Sequence, residues 1–175
     1  MNGLYTKYFL GISIPSPVLE EIESIKQHLF EAYKLKGALR CDAHITLHRP
    51  FLWKTEKENE LKKKLSEFHF TQFEIRLHNF SFFEPRVIFV DVAPNQKLNH
   101  LHVSLKEFAK RELRLYNEWE DERGFYPHVT VASRDLKKDT FHTLQNIFIE
   151  KKFDAQFSTS GISLMKLEKR WEKIN

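Results

Sequence analysis

Cysteine is almost absent from this chain of 175 residues, with Cys41 as its one thiol. A single cysteine cannot form a disulfide within the chain, and it supplies neither the cysteine pairs of zinc sites nor a redox pair. The class of small secreted proteins stabilised by disulfides is therefore excluded, and the sequence predicts a cytoplasmic location.

Long hydrophobic runs are also missing. No window approaches the roughly 18 apolar residues that a membrane-spanning helix needs. The segment from Met1 to Pro15 lacks the basic start, the apolar stretch and the small-residue cleavage site of a secretory signal. We therefore expect a soluble protein that has no membrane partner.

Charged residues of both signs are plentiful, with 28 Lys and Arg against 24 Asp and Glu and a formal net charge of +4. This small excess is compatible with an anionic partner, but it is far from the dense basic arms of proteins that coat nucleic acid. Hydrophobic residues make up 41% of the chain, including 16 phenylalanines, which is enough for the core of one domain. Because no linker divides the sequence, residues 1–175 are interpreted as a single domain.

The hydrophobic pattern predicts strands and helices in mixed order. Strands are predicted where short segments alternate or are rich in β-branched and aromatic residues, at Tyr8–Ile14, His44–Leu47, Phe73–Phe82, Val87–Val92, His128–Ala132, Phe153–Phe157 and Ile162–Leu167. Helices are predicted where apolar residues recur at helical spacing, at Val18–Phe30, Glu56–Phe68, Leu98–Leu115 and Lys138–Lys151. These elements show no regular parallel repeat, so the sequence predicts the α+β class.

One short motif occurs twice in strand context. The letters HITL at 44–47 and HVTV at 128–131 both read His-x-Thr-apolar. Side chains alternate between the two faces of a strand, so the histidine and the threonine of each copy share one face. The repeat predicts two related lobes that present two imidazoles and two hydroxyls to one cleft.

The polar residues of these motifs are His44, Thr46, His128 and Thr130. A neutral imidazole can take a proton from an attacking water while a protonated imidazole gives a proton to the leaving oxygen. Threonine hydroxyls can donate hydrogen bonds to the non-bridging oxygens of a phosphate. We interpret the four residues as catalytic, for hydrolysis or transfer at a phosphodiester that needs no metal and no cofactor.

Two other histidine patterns are interpreted as structural. A third match, HVSL at 102–105, lies inside the predicted helix Leu98–Leu115, where residues i and i+2 do not share a face. His100 and His102 have no Asp, Glu or Cys at a spacing that would complete a metal site. No metal site is predicted.

The motifs and their surroundings resemble the two-histidine (2H) phosphoesterase superfamily, which includes 2'-5' RNA ligases and RNA 2',3'-cyclic phosphodiesterases. The likeness extends over nearly the whole chain, from the opening strand Tyr8–Pro15 through FFEPRVIFVDVAP at 82–94 to the second motif, which Tyr126 and Pro127 precede. The resemblance implies two similar α+β lobes whose antiparallel sheets flank a deep, positively charged cleft, with helices on the outside.

Three further residues are candidates for substrate contact. Arg134 lies six residues after His128, an even separation that keeps it on the cleft face if the strand continues. His48 shares the face of His44 by the same alternation, and Tyr126 is a candidate to stack on a base. A surface position for Arg134, a rim position for His48 and core packing for Tyr126 are the alternative interpretations.

The resemblance implies hydrolysis of a 2',3'-cyclic phosphate of RNA or of a nucleotide, with reverse 2'-5' RNA ligation as a second reaction. The segment HRPFLW at 48–53 differs from the Phe-Leu-Gly that usually follows the first motif of the ligase branch, so other substrates stay open. These are 2'-5' oligonucleotides and ADP-ribose cyclic phosphate; a non-catalytic RNA-binding relative and a metal-dependent hydrolase are the alternative classes. The expected partner is an RNA terminus or small nucleotide with a cyclic phosphate, and the chain is expected to act as a monomer.

Overall fold

The computed structural model describes residues 4–116, 124–159 and 161–175, in which eight strands and four α-helices occur in mixed order. The strands are β1 (Tyr5–Ser13), β2 (His44–Lys54), β3 (Glu74–Phe83), β4 (Val87–Val92), β5 (His128–Ala132), β6 (Asp154–Ser158), β7 (Ser163–Leu167) and β8 (Trp171–Lys173). The helices are α1 (Val18–Tyr33), α2 (Glu58–Ser66), α3 (Gln96–Phe108) and α4 (Lys138–Phe148). Across these residues, no helix combines the length and the apolar character needed to cross a membrane.

The strands form two four-stranded sheets in which neighbouring strands are antiparallel. The order is β2-β1-β7-β8 in the first sheet and β5-β4-β3-β6 in the second. The two motif strands, β2 and β5, therefore hold equivalent edge positions, one in each sheet. This arrangement confirms the predicted α+β class with two antiparallel sheets.

Helices and a shared core join the two sheets. Helix α1 follows β1 along the chain but contacts β5 and β6, and α3 follows β4 but contacts β2. Buried residues from both sheets, such as Ile45, Ile75, Val90 and Leu164, belong to one continuous apolar cluster. Each such side chain contributes about 1.5–3 kcal/mol through burial. Because β2 also contacts β5, the core holds the two motifs side by side.

Most predicted elements are confirmed, with differences at their ends. Strands β4 and β5 have the predicted bounds. Helix α2 is shorter than predicted because a 3₁₀ turn occupies Thr55–Lys57, and the predicted third helix ends its α-helical part at Phe108, where a π-helical turn begins. The three residues of β8 are not predicted, since so short a segment shows no period.

Strand β2 is much longer than the predicted segment His44–Leu47. It continues through the exposed Pro50, which an edge strand tolerates because proline lacks only a donor to the ladder. The pairing of β2 with β1 is irregular on both sides of His48, which lies opposite Leu10. Such bulges break the alternation of side chains, and Leu47 and His48 are consequently both buried.

Candidate active site

The first motif brings His44 and Thr46 of β2 to the wall of one cavity. Nδ1 of His44 lies 2.7 Å from the carbonyl oxygen of Asp42. Because a carbonyl oxygen only accepts, Nδ1 carries the hydrogen, and the neutral ring then has its basic lone pair on Nε2. The His44 ring also packs against Phe9 of β1, with 4.7 Å between the ring centroids. The ring is thus oriented by two contacts.

The second motif repeats this arrangement on the other sheet. Nδ1 of His128 donates to the carbonyl oxygen of Tyr126 over 2.7 Å, again two residues earlier in the chain. The rings of Phe83 and Phe89 pack against the His128 ring at centroid distances of 5.0 and 4.9 Å. Thr130, two residues after His128, lines the same cavity as the first motif. The structure therefore brings the two sequence repeats together at one place.

The cavity has a volume of about 180 Å³ and a cationic wall. Its basic side chains are Lys26 from α1, Arg40 from the turn before β2, and Arg134 after β5, and its aromatic side chains are Phe9 and Trp171. Within the described parts of the chain, no group of three or more His, Cys, Asp or Glu side chains is arranged to hold a metal ion. The exposed guanidinium groups of Arg40 and Arg134, beside imidazole and hydroxyl groups, are suited to a phosphate, which such cations bind by charge-assisted hydrogen bonds.

The imidazole of the first motif is held in its neutral form. Burial is the main cause that lowers the pKa of His44 to about 4, and the positive charges of Lys26 and His128 lower it as well, whereas the hydrogen bond to Asp42 raises it. An unperturbed histidine titrates near about 6.5, so His44 is uncharged at neutral pH. The effect of His128 also shows that the two imidazoles lie within electrostatic range of each other.

Arg134 lines the cavity, and a turn rather than the continued strand of the prediction brings it there. Strand β5 ends at Ala132, and Arg134 has a left-handed backbone with a φ of 63°. The carboxylate of Asp135 accepts hydrogen bonds from the backbone N–H groups of Lys36 and Gly37. These bonds tie the turn after the second motif to the segment before the first motif, which holds the Arg134 backbone at the cavity.

Tyr126 combines an anchored hydroxyl with an exposed ring. Its side chain is 40% exposed, and its hydroxyl donates to Oδ2 of Asp91 over 3.3 Å. The Tyr126 ring contacts Phe83 and Phe89 edge-on, at centroid distances of 5.4 and 5.8 Å. An exposed ring that is fixed in this way, next to the second motif, offers a surface on which a base can stack.

The prediction that His48 shares the cleft face of its strand with His44 is wrong. Its side chain is 2% exposed, its Nδ1 donates to the carbonyl oxygen of Arg49 over 2.8 Å, and its ring packs edge-on against Phe51. The bulges on both sides of His48 interrupt the alternation that would have placed it beside His44. His48 is therefore a core residue in this structure.

Buried histidines in the core predict a loss of stability in acid. Burial lowers the pKa of His48, and it lowers the pKa of His102, which stacks on Phe125 at 3.8 Å, to about 4. In the unfolded chain a histidine titrates near about 6.5, so below that pH the unfolded state binds protons that the folded state does not bind. The free energy of unfolding should fall as the pH decreases from about 6.5 to about 4, with His102 alone accounting for a loss on the order of 3 kcal/mol.

Urea unfolding at a series of pH values measures this loss. The variant His102→Leu should show a shallower decrease between pH 6.5 and 4 than the parent protein, because one titrating group is removed. The exposed His69 provides the matched control, and His69→Leu should follow the parent curve. Equal slopes for His102→Leu and the parent would contradict the assignment of acid sensitivity to the core.

Lys26 and the ring contacts of the two histidines were not predicted from the sequence. Lys26 lies four residues after the buried Ile22, on the apolar stripe of α1, and a lysine at such a position is the signal that could have identified it. Phe9 and Phe89 occupy related positions in β1 and β4, but nothing in the sequence separates them from the other phenylalanines. Trp171 reaches the cavity only through the pairing of β8 with β7.

Solved structures with the same fold match this chain over nearly its whole length. The structure of E. coli LigT complexed with 3'-AMP has a TM-score of 0.66 at 19% identity, and the match covers 98% of this chain and 96% of that chain. The structure of TT0787 of Thermus thermophilus has a TM-score of 0.61 at 15% identity, and the match covers 96% of this chain and 93% of that chain. A structure described as a phosphoesterase has a TM-score of 0.59 at 17% identity, and the match covers 97% of this chain and 95% of that chain. At these identities the likeness establishes a shared LigT-like fold.

Comparison of the sequence with known proteins and protein families identifies the family of this chain. A search of curated proteins finds no match. The sequence profile of the 2'-5' RNA ligase superfamily, however, matches residues 14–171, a range that includes both His-x-Thr motifs. This match agrees with the LigT-like fold and confirms the resemblance to the 2H phosphoesterases. The chain therefore belongs to the 2'-5' RNA ligase superfamily.

Proposed function

We propose that this protein hydrolyses a 2',3'-cyclic phosphate at an RNA end or on a nucleotide, with two histidines as general acid and base. One observation carries the proposal: His44, Thr46 and Thr130 of the two motifs line one cationic cavity, and each motif histidine is oriented by the carbonyl oxygen two residues before it. Membership of the 2'-5' RNA ligase superfamily supports a phosphoesterase. The proposal treats residues 1–175 as one bilobed catalytic domain.

In this proposal, the neutral His44 acts as the base. Its Nε2 takes a proton from water, the water oxygen bonds to phosphorus, and the bond from phosphorus to one ribose oxygen breaks. His128 gives a proton to that leaving oxygen, while Thr46 and Thr130 donate hydrogen bonds to the non-bridging oxygens and Arg134 offsets their charge. In 2'-5' ligation a ribose hydroxyl takes the place of water as the nucleophile, and His44 and His128 keep the same proton-transfer roles.

The proposed substrate class is supported by the size of the cavity and by a structural relative. At about 180 Å³ the cavity is smaller than the roughly 300–1,000 Å³ of pockets that enclose drug-sized ligands. We therefore expect the cyclic phosphate and its ribose to lie inside the cavity and the nucleobase to lie outside it, within reach of Tyr126. The complex of E. coli LigT with 3'-AMP supports a nucleotide substrate, because opening of a 2',3'-cyclic adenylate can yield that monophosphate.

Substrate comparison tests the proposal. The protein is offered 2',3'-cyclic mononucleotides, RNA with a 2',3'-cyclic end, 2'-5' oligonucleotides and ADP-ribose cyclic phosphate, and the products are identified. Opening of either of the first two to a monophosphate supports the proposal, and turnover of only the last two moves the substrate to the alternatives. Binding of RNA without turnover indicates the non-catalytic relative. Activity should survive EDTA; loss on chelation with recovery on added zinc indicates the metal-dependent class.

The rate of the proposed reaction should follow a bell-shaped dependence on pH. kcat/KM should fall in acid as the base His44 is protonated, near its lowered pKa of about 4. It should fall again toward alkaline pH as the acid His128 loses its proton. The two apparent pKa values of this profile belong to the coupled pair of histidines rather than to either residue alone.

This profile is measured as kcat/KM on a 2',3'-cyclic mononucleotide, with circular dichroism at each pH as the control for folding. The control is needed because the buried histidines also lower stability in acid. A rate that rises to a plateau and shows no alkaline fall, in a protein that stays folded, would contradict a histidine acid.

A further inference from the structure

An ion pair on α1, in which Lys26 is buried and Glu23 is half-buried, contacts the segment that precedes the first motif. The side chain of Lys26 is 2% exposed, and its ammonium donates to Oε1 of Glu23 over 2.7 Å and to the carbonyl oxygen of Cys41 over 3.0 Å. Burial of a charge is unfavourable unless the charge is paired and hydrogen-bonded, and an apolar side chain of similar volume stabilises such a position at least as well. Core packing alone therefore does not account for a lysine here.

The pair anchors three consecutive residues. The same Oε1 of Glu23 that pairs with Lys26 accepts the backbone N–H of Ala43 over 2.7 Å, while the ammonium holds the carbonyl of Cys41. The residue between these two anchors supplies the carbonyl oxygen that accepts the Nδ1–H of His44. The group that orients the His44 ring is thus fixed on both sides by one ion pair.

The second motif is supported by a carboxylate, whereas the first motif is supported by an ammonium group. The carbonyl that orients His128 belongs to Tyr126, whose hydroxyl donates to Asp91, and Asp91 lies opposite His128 in the pairing of β4 with β5. The first motif is thus supported by an ammonium, whereas the residue opposite His128 in the strand pairing is a carboxylate.

Several charged groups surround His44, and Lys26 differs from most of them in its burial. Besides Lys26, they are Asp42 with its ion-pair partner Arg170, His128 from β5, and Arg40 and Arg134 at the cavity wall. Lys26 and His128 lower the pKa of His44, and Asp42 raises it. Arg40 and Arg134 are exposed, so solvent screens them more than it screens the buried ammonium of Lys26.

We propose that Lys26 and Glu23 position His44: they fix the carbonyl that orients its ring, so that Nδ1 carries the hydrogen and Nε2 is presented as the proton acceptor. Lys26 is on this view a positioning residue and not a phosphate ligand. The kinetic consequence rests on the proposed function, whereas the orientation and the protonation state of His44 are properties of the free protein.

The kinetic test compares Lys26→Met with Lys57→Met as the matched control. Lys57 forms an exposed pair with Glu60 at the same i,i+3 spacing, so the control removes the same charge from a solvated position. On a 2',3'-cyclic mononucleotide, Lys26→Met should lower kcat by roughly 10-fold to 100-fold with little change in KM, because the base is misplaced. The fall of kcat/KM in acid should also occur at a higher pH in this variant than in the parent protein. Lys57→Met should behave as the parent protein.

Nitrogen NMR of the His44 imidazole gives a second readout that does not depend on turnover. In the parent protein Nδ1 should carry the hydrogen, and the ring should titrate below the roughly 6.5 of a free histidine. In Lys26→Met the titration midpoint should rise and the preference for hydrogen on Nδ1 should weaken. If the parent protein opens no cyclic phosphate, the proposed function fails, and this titration still decides the role of Lys26.

A double variant keeps the test valid if Lys26→Met does not fold. Glu23→Gln with Lys26→Met removes both charges and retains an amide oxygen that can accept the Ala43 N–H. It should fold and show a rise in the His44 titration midpoint that is smaller than in Lys26→Met, because the negative charge of Glu23 is removed together with the ammonium. Two outcomes overturn the proposal: a His44 titration and tautomer that are unchanged in the folded variants, or a raised KM with unchanged kcat, which makes Lys26 a substrate ligand.

Discussion

His44→Ala and His128→Ala should each lower the turnover of a 2',3'-cyclic phosphate by roughly 10²-fold to 10⁴-fold, the range for loss of a general acid or base. The expected loss is large because the proposed reaction has no second group to replace either proton transfer. Stability should change little, since the hydrogen bond of each ring to a carbonyl oxygen serves mainly to orient it. Single-turnover rates measure the effect, and urea unfolding checks the fold.

His100→Ala is the matched control for these variants. His100 is an exposed histidine on α3, and it should be replaceable without loss of rate. A rate close to that of the parent in a folded His44→Ala or His128→Ala protein would contradict the two-histidine mechanism.

A substrate in which sulfur replaces the leaving oxygen separates the two roles. A thiolate leaves without a proton, so the loss of the acid matters less for this substrate. His128→Ala should therefore recover much of its rate on the sulfur substrate, while His44→Ala should not. Recovery by His44→Ala instead would reverse the assignment of base and acid.

Phe89→Ala should lower the free energy of unfolding by about 3–5 kcal/mol, the range for truncation of a buried phenylalanine. The Phe89 side chain has no exposed surface and packs against the rings of Phe83, Tyr126 and His128. The cavity left by this truncation lies directly beside the proposed acid. We therefore expect kcat of the folded protein to fall roughly 10-fold or more as well, because His128 loses the contact that orients it.

Phe148→Ala separates the catalytic effect of Phe89→Ala from its effect on stability. Phe148 is equally buried, at 2% exposure, but it lies on α4 and packs against Phe80 rather than against either motif histidine. Urea unfolding should show a similar loss of stability for both variants, whereas kcat at low temperature should fall only in Phe89→Ala. Equal kcat values for the two variants would show that the ring of Phe89 does not orient His128.

Local patterns were sufficient to predict most elements and both motifs. The repeat of apolar residues, at intervals of two or of three to four, is a property of neighbouring residues, and it placed β4 and β5 at their observed bounds. The same alternation over three residues put the histidine and the threonine of each motif on one face. These inferences hold because no residue far along the chain is needed to establish them.

Long-range pairing determined the features that the local pattern did not predict. His48 turned into the core because the pairing of β2 with β1 contains bulges, and Lys26 reached the cavity because α1 packs across to β5. Arg134 arrived on a turn whose Asp135 binds the backbone of Lys36, 99 residues earlier. The sequence thus specified the chemical groups and their local faces, whereas the tertiary structure selected which of them meet, since register and burial depend on contacts between residues far apart in the chain.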